Sequence, residues 1–264
     1  MILWVIAINN KVAPAISIIM PAFNAEKTIS QSIESVISQT YKDWELIIIN
    51  DNSSDKTAQI IKEAADNDNR IRYLTHEYNK GVAEARNAGI KIAQGERIAF
   101  LDSDDLWTAD KLEKQLSLIK EKNAIISYTA TSYINEAGKK SGYILQASPR
   151  LTYRQLLKRN IMSCSSVIVQ RDAMLRHPFP KGDMHEDYAV WLSILREADH
   201  AYGHNEPLLI YRISAGSKSH NRLRSARMLL ASYKHIGYGR VAAFLLTVRY
   251  LFHSVSKRLN IRIR

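Results

Sequence analysis

The chain of 264 residues has only one cysteine, Cys164. A single cysteine excludes a disulfide framework and any zinc site built from cysteines, and it fits a reducing cytosol. The chain also lacks an apolar run of 18 residues, so the sequence predicts no membrane-spanning helix. The apolar N-terminal segment, residues 1–13, has neither a basic leader nor a small-residue cleavage site and is therefore a poor signal peptide. It would suit an extra strand or an interfacial anchor, and the sequence leaves both open.

Acidic residues are missing from the C-terminal part of the chain. Residues 207–264 contain twelve Lys and Arg and no Asp or Glu, and the whole chain has a formal net charge of +11. The basic character therefore belongs to this segment, and the preceding part is close to neutral. Such asymmetry predicts a polyanionic partner, either a nucleic acid or an anionic lipid surface.

A basic amphipathic helix is predicted over residues 240–259, after a shorter one over residues 225–235. Apolar residues recur there at a 3/4 spacing that puts them on one face, with basic residues off that face. The apolar positions are Val241, Phe244, Leu245, Val248, Leu251, Phe252, Val255 and Leu259, and the basic ones are Arg240, Arg249, Lys257 and Arg258. The pattern is typical of a helix lying on a membrane, although a helix packed on the domain with solvated arginines would also show it. We expect residues 222–264 to be a membrane-associating tail behind a domain of residues 15–221.

Strands and helices alternate in the first half of the chain. Strands are predicted at residues 15–20, 45–50, 71–75 and 97–101, and helices at 25–38, 55–65, 82–93 and 108–120. This alternation predicts an α/β fold with a mixed, mainly parallel sheet flanked by helices. The less regular second half, with strands at 124–133, 166–170 and 208–212 and helices at 153–159 and 185–196, would complete the sheet. The loops after the strands then share one edge, which is where such folds bind ligands.

Carboxylates cluster after the fourth predicted strand, in Asp102-Ser103-Asp104-Asp105. Such crowding is costly unless a cation is present. Hard oxygen ligands suit Mg²⁺ or Mn²⁺, which usually accompany phosphates. A simpler interpretation is that Asp105 caps the next helix while Asp102 and Ser103 form a turn. Polar loops after the other strands favour the metal–diphosphate site, because a helix cap predicts none of them.

These loops occur in a fixed order: Pro21-Ala22-Phe23-Asn24, then residues 50–55, residues 79–89, the acidic cluster, Glu186-Asp187 and Tyr211-Arg212. Over residues 15–219 this order resembles the family 2 inverting glycosyltransferases of the GT-A fold, of the bacterial surface-polysaccharide type. The resemblance implies a metal-dependent enzyme at the cytoplasmic face of the cell membrane. It would move a hexose or N-acetylhexosamine from a UDP-sugar to a hydroxyl of a lipid-linked (polyprenyl-diphosphate) glycan.

The resemblance also implies a role for individual residues. Phe23 would lie against the base, Asp51 would accept a hydrogen bond from it, and Arg86 would pair with the diphosphate or hold the acidic loop. The full set of expected donor-binding residues is Pro21, which would fix its turn, with Phe23, Asn24, Asp51, Asn79, Gly81, Arg86, Asp102, Ser103 and Arg212.

Four carboxylates would carry the chemistry of transfer and the acceptor contacts. Asp104 is the expected ligand of Mn²⁺ or Mg²⁺, and Asp187 is the expected general base, because an inverting transfer needs one base opposite the leaving group. Asp105 and Glu186 are expected to touch the donor or acceptor sugar.

Two other functions would also suit parts of the sequence. A sugar-phosphate nucleotidyltransferase shares the sheet and the metal-binding carboxylates, but it typically has a Gly-rich basic loop after the first strand, where this chain has Pro21-Ala22-Phe23-Asn24. A nucleic-acid-binding protein would explain the basic tail but not the acidic loops, so we expect no nucleic-acid partner.

Overall fold

The structure, a computed structural model, describes residues 13–213 and 222–260, with side chains described for residues 13–213 and 223–251. The predicted N-terminal segment, apart from residue 13, lies outside this part. The side chains of Phe252, Val255, Lys257, Arg258 and Leu259, which were predicted to form the end of the amphipathic helix, also lie outside it.

In the described part of the chain, ten strands form one mixed, mainly parallel sheet. The strands are β1 (Ile16–Ala22), β2 (Trp44–Asn50), β3 (Ile71–Thr75), β4 (Arg97–Phe100), β5 (Leu106–Trp107), β6 (Ile126–Asn135), β7 (Lys140–Leu145), β8 (Arg150–Leu151), β9 (Ile168–Gln170) and β10 (Ala201–Ile213). Their order is β3-β2-β1-β4-β9-β6-β10-β5, with β7 beside β6 and β8 beside β10. The first four strands pair in parallel, whereas β9 runs antiparallel to both β4 and β6. The predicted fold class is thus confirmed.

Helices cover both faces of the sheet. They are α1 (Ile29–Ile37), α2 (Thr57–Asn67), α3 (Val82–Ile92), α4 (Lys111–Lys122), α5 (Tyr153–Leu156), α6 (Arg171–Arg176), α7 (Glu186–Glu197), α8 (Arg222–His235) and α9 (Arg240–Asn260). Alternate residues of β1 enter two different cores, so that Ile18 packs in one and Ile19 in the other. This explains why β1 and β2 are buried along their whole lengths.

Helix α3 lies unusually close to the sheet. A Cβ on Gly89 would stand 2.6 Å from Cγ2 of Ile19 in β1, so only glycine allows this approach. The helix packs on β2 as well as on β1, since the same Cβ would lie 3.5 Å from Cγ1 of Ile49. Because β1 to β4 pair in parallel, their carboxyl ends meet at one edge of the sheet, as predicted.

The predicted start of α4 is wrong. A two-residue strand, β5, follows the acidic cluster, and the helix begins only at Lys111. Its N-cap position is occupied by Asp110, whose side chain accepts a hydrogen bond from the Thr108 hydroxyl. Asp105 is six residues before the helix, so the interpretation of Asp105 as a simple cap is excluded.

The second half contains strands that the pattern did not reveal. Only Ser141 and Leu145 are buried in β7, so its apolar signal is weak. Strand β10 is longer than predicted, because a register shift between His204 and Leu209 interrupts its alternation.

The C-terminal helices pack against the domain through one side only. Leu229 and Tyr233 of α8 join the main core, and Ala243 of α9 is buried with them. On the other side of α9, Val241, Phe244 and Leu245 are 74%, 59% and 61% exposed. Across the described residues, no helix has both the length and the apolar character needed to cross a membrane.

Candidate active site

The loops after β1 and β2 are tied together by Asn24. Its backbone N–H donates to the Ser53 hydroxyl at 3.0 Å, and its Oδ1 accepts from the N–H of Ser54 at 2.9 Å. Asn24 has a φ of +48°, which suits asparagine. The neighbouring Phe23 is 51% exposed, so its ring is free to meet a ligand.

Pro21 does not form the turn that was predicted for it. It lies inside β1 opposite Ile49 and is buried. A proline is tolerated there because the pairing of β4 with β1 ends at Ile19, so no neighbour on that side needs its N–H. The turn itself begins at Phe23.

Asp51 is buried at the end of β2, where three donors converge on its carboxylate. Oδ1 accepts the N–H of Lys80 at 2.9 Å and lies 2.7 Å from Nδ1 of His76, while Oδ2 accepts the N–H of Gly81 at 2.7 Å. Asp51 thus fixes the loop that carries the exposed Asn79. Its predicted hydrogen bond with the base stays a prediction. In the structure, its carboxylate oxygens hold this loop.

Gly81 stands at the N-cap position of α3 in a conformation that disfavours other residues. Its φ is +85°, and a Cβ placed there would meet nothing within 4 Å. Glycine is thus required by backbone conformation and not by space. A cavity of about 470 Å³ opens beside Gly81 and extends to Glu186, so the predicted donor loop and the predicted acceptor side border one space.

Ser165 holds the acidic loop in shape. Its hydroxyl accepts the N–H of Asp102 at 3.0 Å and donates to Asp105 at 2.6 Å. The other oxygen of Asp105 accepts the N–H of Arg212 at 3.0 Å. Asp105 is only 1% exposed, which leaves almost no surface for its predicted sugar contact. Burial, with Asp104 and Asp102 nearby, raises the pKa of Asp105 well above its ordinary value.

The side chain of Arg212 also makes hydrogen bonds within the protein. Its Nε donates to the carbonyl of Asp104 at 2.9 Å and a terminal nitrogen donates to Gln31 at 2.8 Å. Arg212 is buried, so in this structure it braces the acidic loop. Its predicted contact with the donor stays a prediction.

Asp102 and Asp104 are both partly exposed, and of the two it is Asp102 that pairs with Arg86. Burial and the charge of Asp102 raise the pKa of Asp104 to about 6. Within the described part of the chain no group of three His, Cys, Asp or Glu side chains converges as a metal site. A half-buried carboxylate beside another carboxylate still fits Mn²⁺ or Mg²⁺, because these ions complete their shells with phosphate oxygens and water.

Arg86 joins the acidic loop to the start of α7. Its guanidinium donates to Asp102 at 2.7 Å and to Glu186 at 3.0 Å. Burial alone would lower the pKa of Arg86, but these carboxylates outweigh it and raise the pKa well above its ordinary value. Of the two roles predicted for Arg86, the structure shows the one in which it holds the acidic loop.

Asp187 occupies the first turn of α7. Its Oδ1 accepts only the N–H of Tyr188, at 2.7 Å, among the hydrogen bonds of the described residues. Burial raises the pKa of Asp187, and the charge of Glu186 raises it further. A carboxylate with a raised pKa is better suited to accept a proton than an ordinary aspartate.

The sequence motifs missed three supporting residues: Ser165, His76 and Gln31. Each acts through a long-range contact and belongs to no recognisable motif. For Ser165, the serine-rich stretch of residues 163–166 was a usable sequence signal, because hydroxyls beside a strand commonly brace loops.

The sequence comparison decides the family. Residues 17–177 match the profile of Glycosyl transferase family 2.

The chain belongs to glycosyltransferase family 2.

Relatives of this glycosyltransferase extend over most of its length. It is 36% identical over 247 residues to the putative teichuronic acid biosynthesis glycosyltransferase TuaG of Bacillus subtilis, covering 93% of this chain and 98% of that one. It is 42% identical over 214 residues to the Escherichia coli UDP-Glc:alpha-D-GlcNAc-diphosphoundecaprenol beta-1,3-glucosyltransferase WfgD, covering 80% and 82%. The family match favours the glycosyltransferase over the nucleotidyltransferase alternative.

Solved structures share the fold. The S. aureus TarS 1–349 complex with UDP-GlcNAc has a TM-score of 0.71 at 19% identity, covering 91% of this chain and 72% of that one. A mannosyltransferase of Pyrobaculum calidifontis in complex with GDP-Man and Mn²⁺ has a TM-score of 0.62 at 17% identity, covering 96% and 79%. At these identities the likeness establishes the GT-A fold alone.

Proposed function

We propose that this enzyme transfers a hexose or N-acetylhexosamine from a UDP-sugar, with inversion, to a lipid-linked glycan during surface-polysaccharide assembly. The observation that carries the proposal is the bridge from Asp102 through Arg86 to Glu186. It joins the loop expected to bind the donor to the turn that bears the expected base. A donor site and a base in fixed relation are what a single displacement requires.

In this proposal Asp187 accepts the proton of the acceptor hydroxyl. The hydroxyl oxygen forms the new bond to the anomeric carbon as the bond to the UDP oxygen breaks on the opposite face, and UDP leaves with that electron pair. The raised pKa of Asp187 supports this role, because the carboxylate then holds the proton more strongly. Glu186 pairs with Arg86 at 3.0 Å and thereby orients the turn.

Asp104 is the residue that would hold Mn²⁺ or Mg²⁺. A bound ion would offset the charge of the departing diphosphate. Asp102 is tied to Arg86 and Asp105 is enclosed, which leaves Asp104 as the carboxylate best placed to coordinate an ion.

The acceptor class rests on the relatives. WfgD is named for glucosyl transfer from UDP-Glc to a diphosphoundecaprenol-linked GlcNAc, and TuaG for teichuronic acid biosynthesis. An acceptor of the polyprenyl-diphosphate glycan class is therefore the best-supported choice. Such an acceptor is held in a membrane by its lipid, so the enzyme must work at a membrane surface.

The outer face of α9 would provide that attachment, on the inner face of the cell membrane. Val241, Phe244 and Leu245 are exposed there, with the exposed Arg240 and Arg249 beside them. Apolar side chains next to arginines suit an anionic bilayer surface. The absence of acidic residues from the sequence of residues 207–264 adds charge complementarity.

The decisive experiment measures UDP release from a panel of UDP-sugars, with Mn²⁺ or Mg²⁺ and a synthetic lipid-diphosphate-GlcNAc acceptor. We expect release that depends on acceptor and metal for one donor. If the protein neither binds nor turns over any UDP-sugar of the panel, the proposal is refuted.

A flotation assay tests the membrane attachment separately. The variant Phe244→Ser/Leu245→Ser should float less with anionic vesicles, whereas Leu175→Ser, an exposed leucine of α6, should float like the wild type. Equal flotation of all three proteins would contradict the assignment of this face, and binding to DNA in place of vesicles would favour the nucleic-acid alternative.

A further inference from the structure

Helix α8 holds the backbone from which α7 begins. The Ser232 hydroxyl accepts the N–H of His185 at 3.1 Å, and it lies 3.2 Å from the carbonyl of the same residue. The carbonyl of Met228, at 3.0 Å, is an alternative acceptor for the one hydroxyl proton. Ser232 is fully buried, so water does not compete for these bonds.

Other contacts between the same two segments surround this one. The Ser225 hydroxyl lies 3.2 Å from Nε2 of His185, and the hydroxyl of Tyr233 lies 3.1 Å from that of Tyr188. Arg224 also pairs with Asp183 at 2.9 Å. Residues 183–188 are thus held along their length by a helix that the sequence assigns to the tail.

The N-cap residue of α7 does not cap the helix with its own side chain. His185 occupies the N-cap position, and its side chain makes no capping hydrogen bond. The free N–H groups of a first turn normally need such a partner. Ser232 of α8 accepts the N–H of His185, and Asp187 accepts that of Tyr188. The two residues that follow His185 are Glu186 and Asp187.

We propose that Ser232 is a positioning residue for the candidate base: by holding the backbone of His185 it fixes the first turn of α7 and the carboxylate of Asp187. The inference rests on the proposed function of Asp187. It makes α8 a support of the active site. The surface that would dock on lipid and the turn that bears the base then belong to one packed unit, joined also by the ring contact of Tyr188 with Tyr250 of α9.

The test compares Ser232→Ala with Ser193→Ala in the full chain. Ser193 is a matched control, because its hydroxyl makes the same kind of bond within its own helix, to the carbonyl of Ala189 at 3.0 Å. We expect Ser232→Ala to lower kcat by roughly 10- to 100-fold. The KM for the UDP-sugar and vesicle flotation should stay unchanged. Ser193→Ala should keep the wild-type kcat.

Hydrogen exchange gives a second readout that needs no substrate. Amides of residues 185–188 should exchange about fivefold faster in Ser232→Ala, with the central strands unchanged. Uniformly faster exchange would indicate global destabilisation and overturn the positioning role. The half-buried Ser225→Ala serves if Ser232→Ala does not fold, and it should show the same pattern with a smaller fall in kcat.

The outcomes separate the two proposals. If the wild-type protein transfers no sugar, the proposed function fails, whatever the exchange data show. If the wild type is active and Ser232→Ala loses no more activity than Ser193→Ala, the positioning role alone is overturned.

Discussion

Arg86 and Glu186 lie one hundred positions apart in the chain and meet in an ion pair of 3.0 Å. The same guanidinium reaches Asp102, so one buried cation holds two acidic segments that come from opposite halves of the sequence. Because the loops would repel each other without it, the relative placement of the donor loop and the candidate base depends on this residue.

Replacing Arg86 with lysine should therefore damage both stability and activity. A lysine is a point charge and cannot hold the two carboxylates with separate nitrogens. We expect a loss of about 3 kcal/mol in the free energy of unfolding, measured by urea denaturation. The matched control is Arg176→Lys, whose pair with Glu197 is exposed and should contribute less than about 1 kcal/mol. Equal effects of the two substitutions would contradict the bridging role.

Asp187→Asn should abolish transfer and spare binding. Loss of a general base lowers kcat by about 10²- to 10⁴-fold, whereas UDP affinity, measured by calorimetry, should not change. Asp172→Asn, which alters an exposed first-turn aspartate of α6, is the control and should be fully active. A parallel loss of UDP affinity in Asp187→Asn would remove its assignment as base.

The raised pKa of Asp187 also predicts a pH dependence. Burial and Glu186 raise the pKa above its ordinary value of 3.8, so the base becomes protonated, and kcat falls, at a higher pH than for an exposed aspartate. The folded state binds this proton more tightly than the unfolded chain. The stability that Asp187 contributes is therefore present at low pH and lost as the pH rises through the raised pKa. Asp187→Asn should thus unfold at the wild-type temperature or above it at pH 7, as thermal denaturation would show.

The parallel half of the sheet and its loops were predictable because their signals are local. Continuous apolar runs end abruptly in polar residues, as in Phe100-Leu101-Asp102, and the order of such loops identifies the edge where they meet. The roles of Asp105 and Arg212 at that edge were harder to predict from the sequence. Whether a carboxylate faces a ligand or a buried serine depends on a partner such as Ser165, sixty positions away.

The C-terminal helices also show that sequence patterns do not reveal long-range polar contacts. Periodicity indicated an apolar stripe on α9, and Val241, Phe244 and Leu245 of that stripe are exposed. Periodicity could not show that α8 is fastened to His185, because that contact joins single polar atoms across 47 positions. The boundary predicted at residue 222 stays a prediction, but the helix that begins there packs into the main core.

Ser165→Ala should weaken the acidic loop. The substitution removes the acceptor of the Asp102 N–H and the donor to the buried carboxylate of Asp105. Leaving such groups without partners costs about 1–3 kcal/mol. Chemical denaturation should reveal this cost, and the affinity for UDP with Mn²⁺ should fall with it. Ser35→Ala, which removes a buried hydroxyl that donates to the nearby Ser32 carbonyl, should cost less and leave UDP affinity unchanged.

Gly81→Ala tests whether backbone conformation, and not space, constrains the donor loop. Nothing lies within 4 Å of the added Cβ at either Gly81 or Gly142, but only Gly81 has a positive φ, of +85°. We expect Gly81→Ala to cost about 1–2 kcal/mol, since an L-residue is strained there. Gly142→Ala in β7 should be neutral or slightly stabilising. Because Asp51 holds the N–H of Gly81, relief of the strain would shift that contact and lower the affinity for UDP. Calorimetric titration of both variants with UDP checks this, and equal affinities together with equal unfolding free energies would show that the loop is not held in the conformation described.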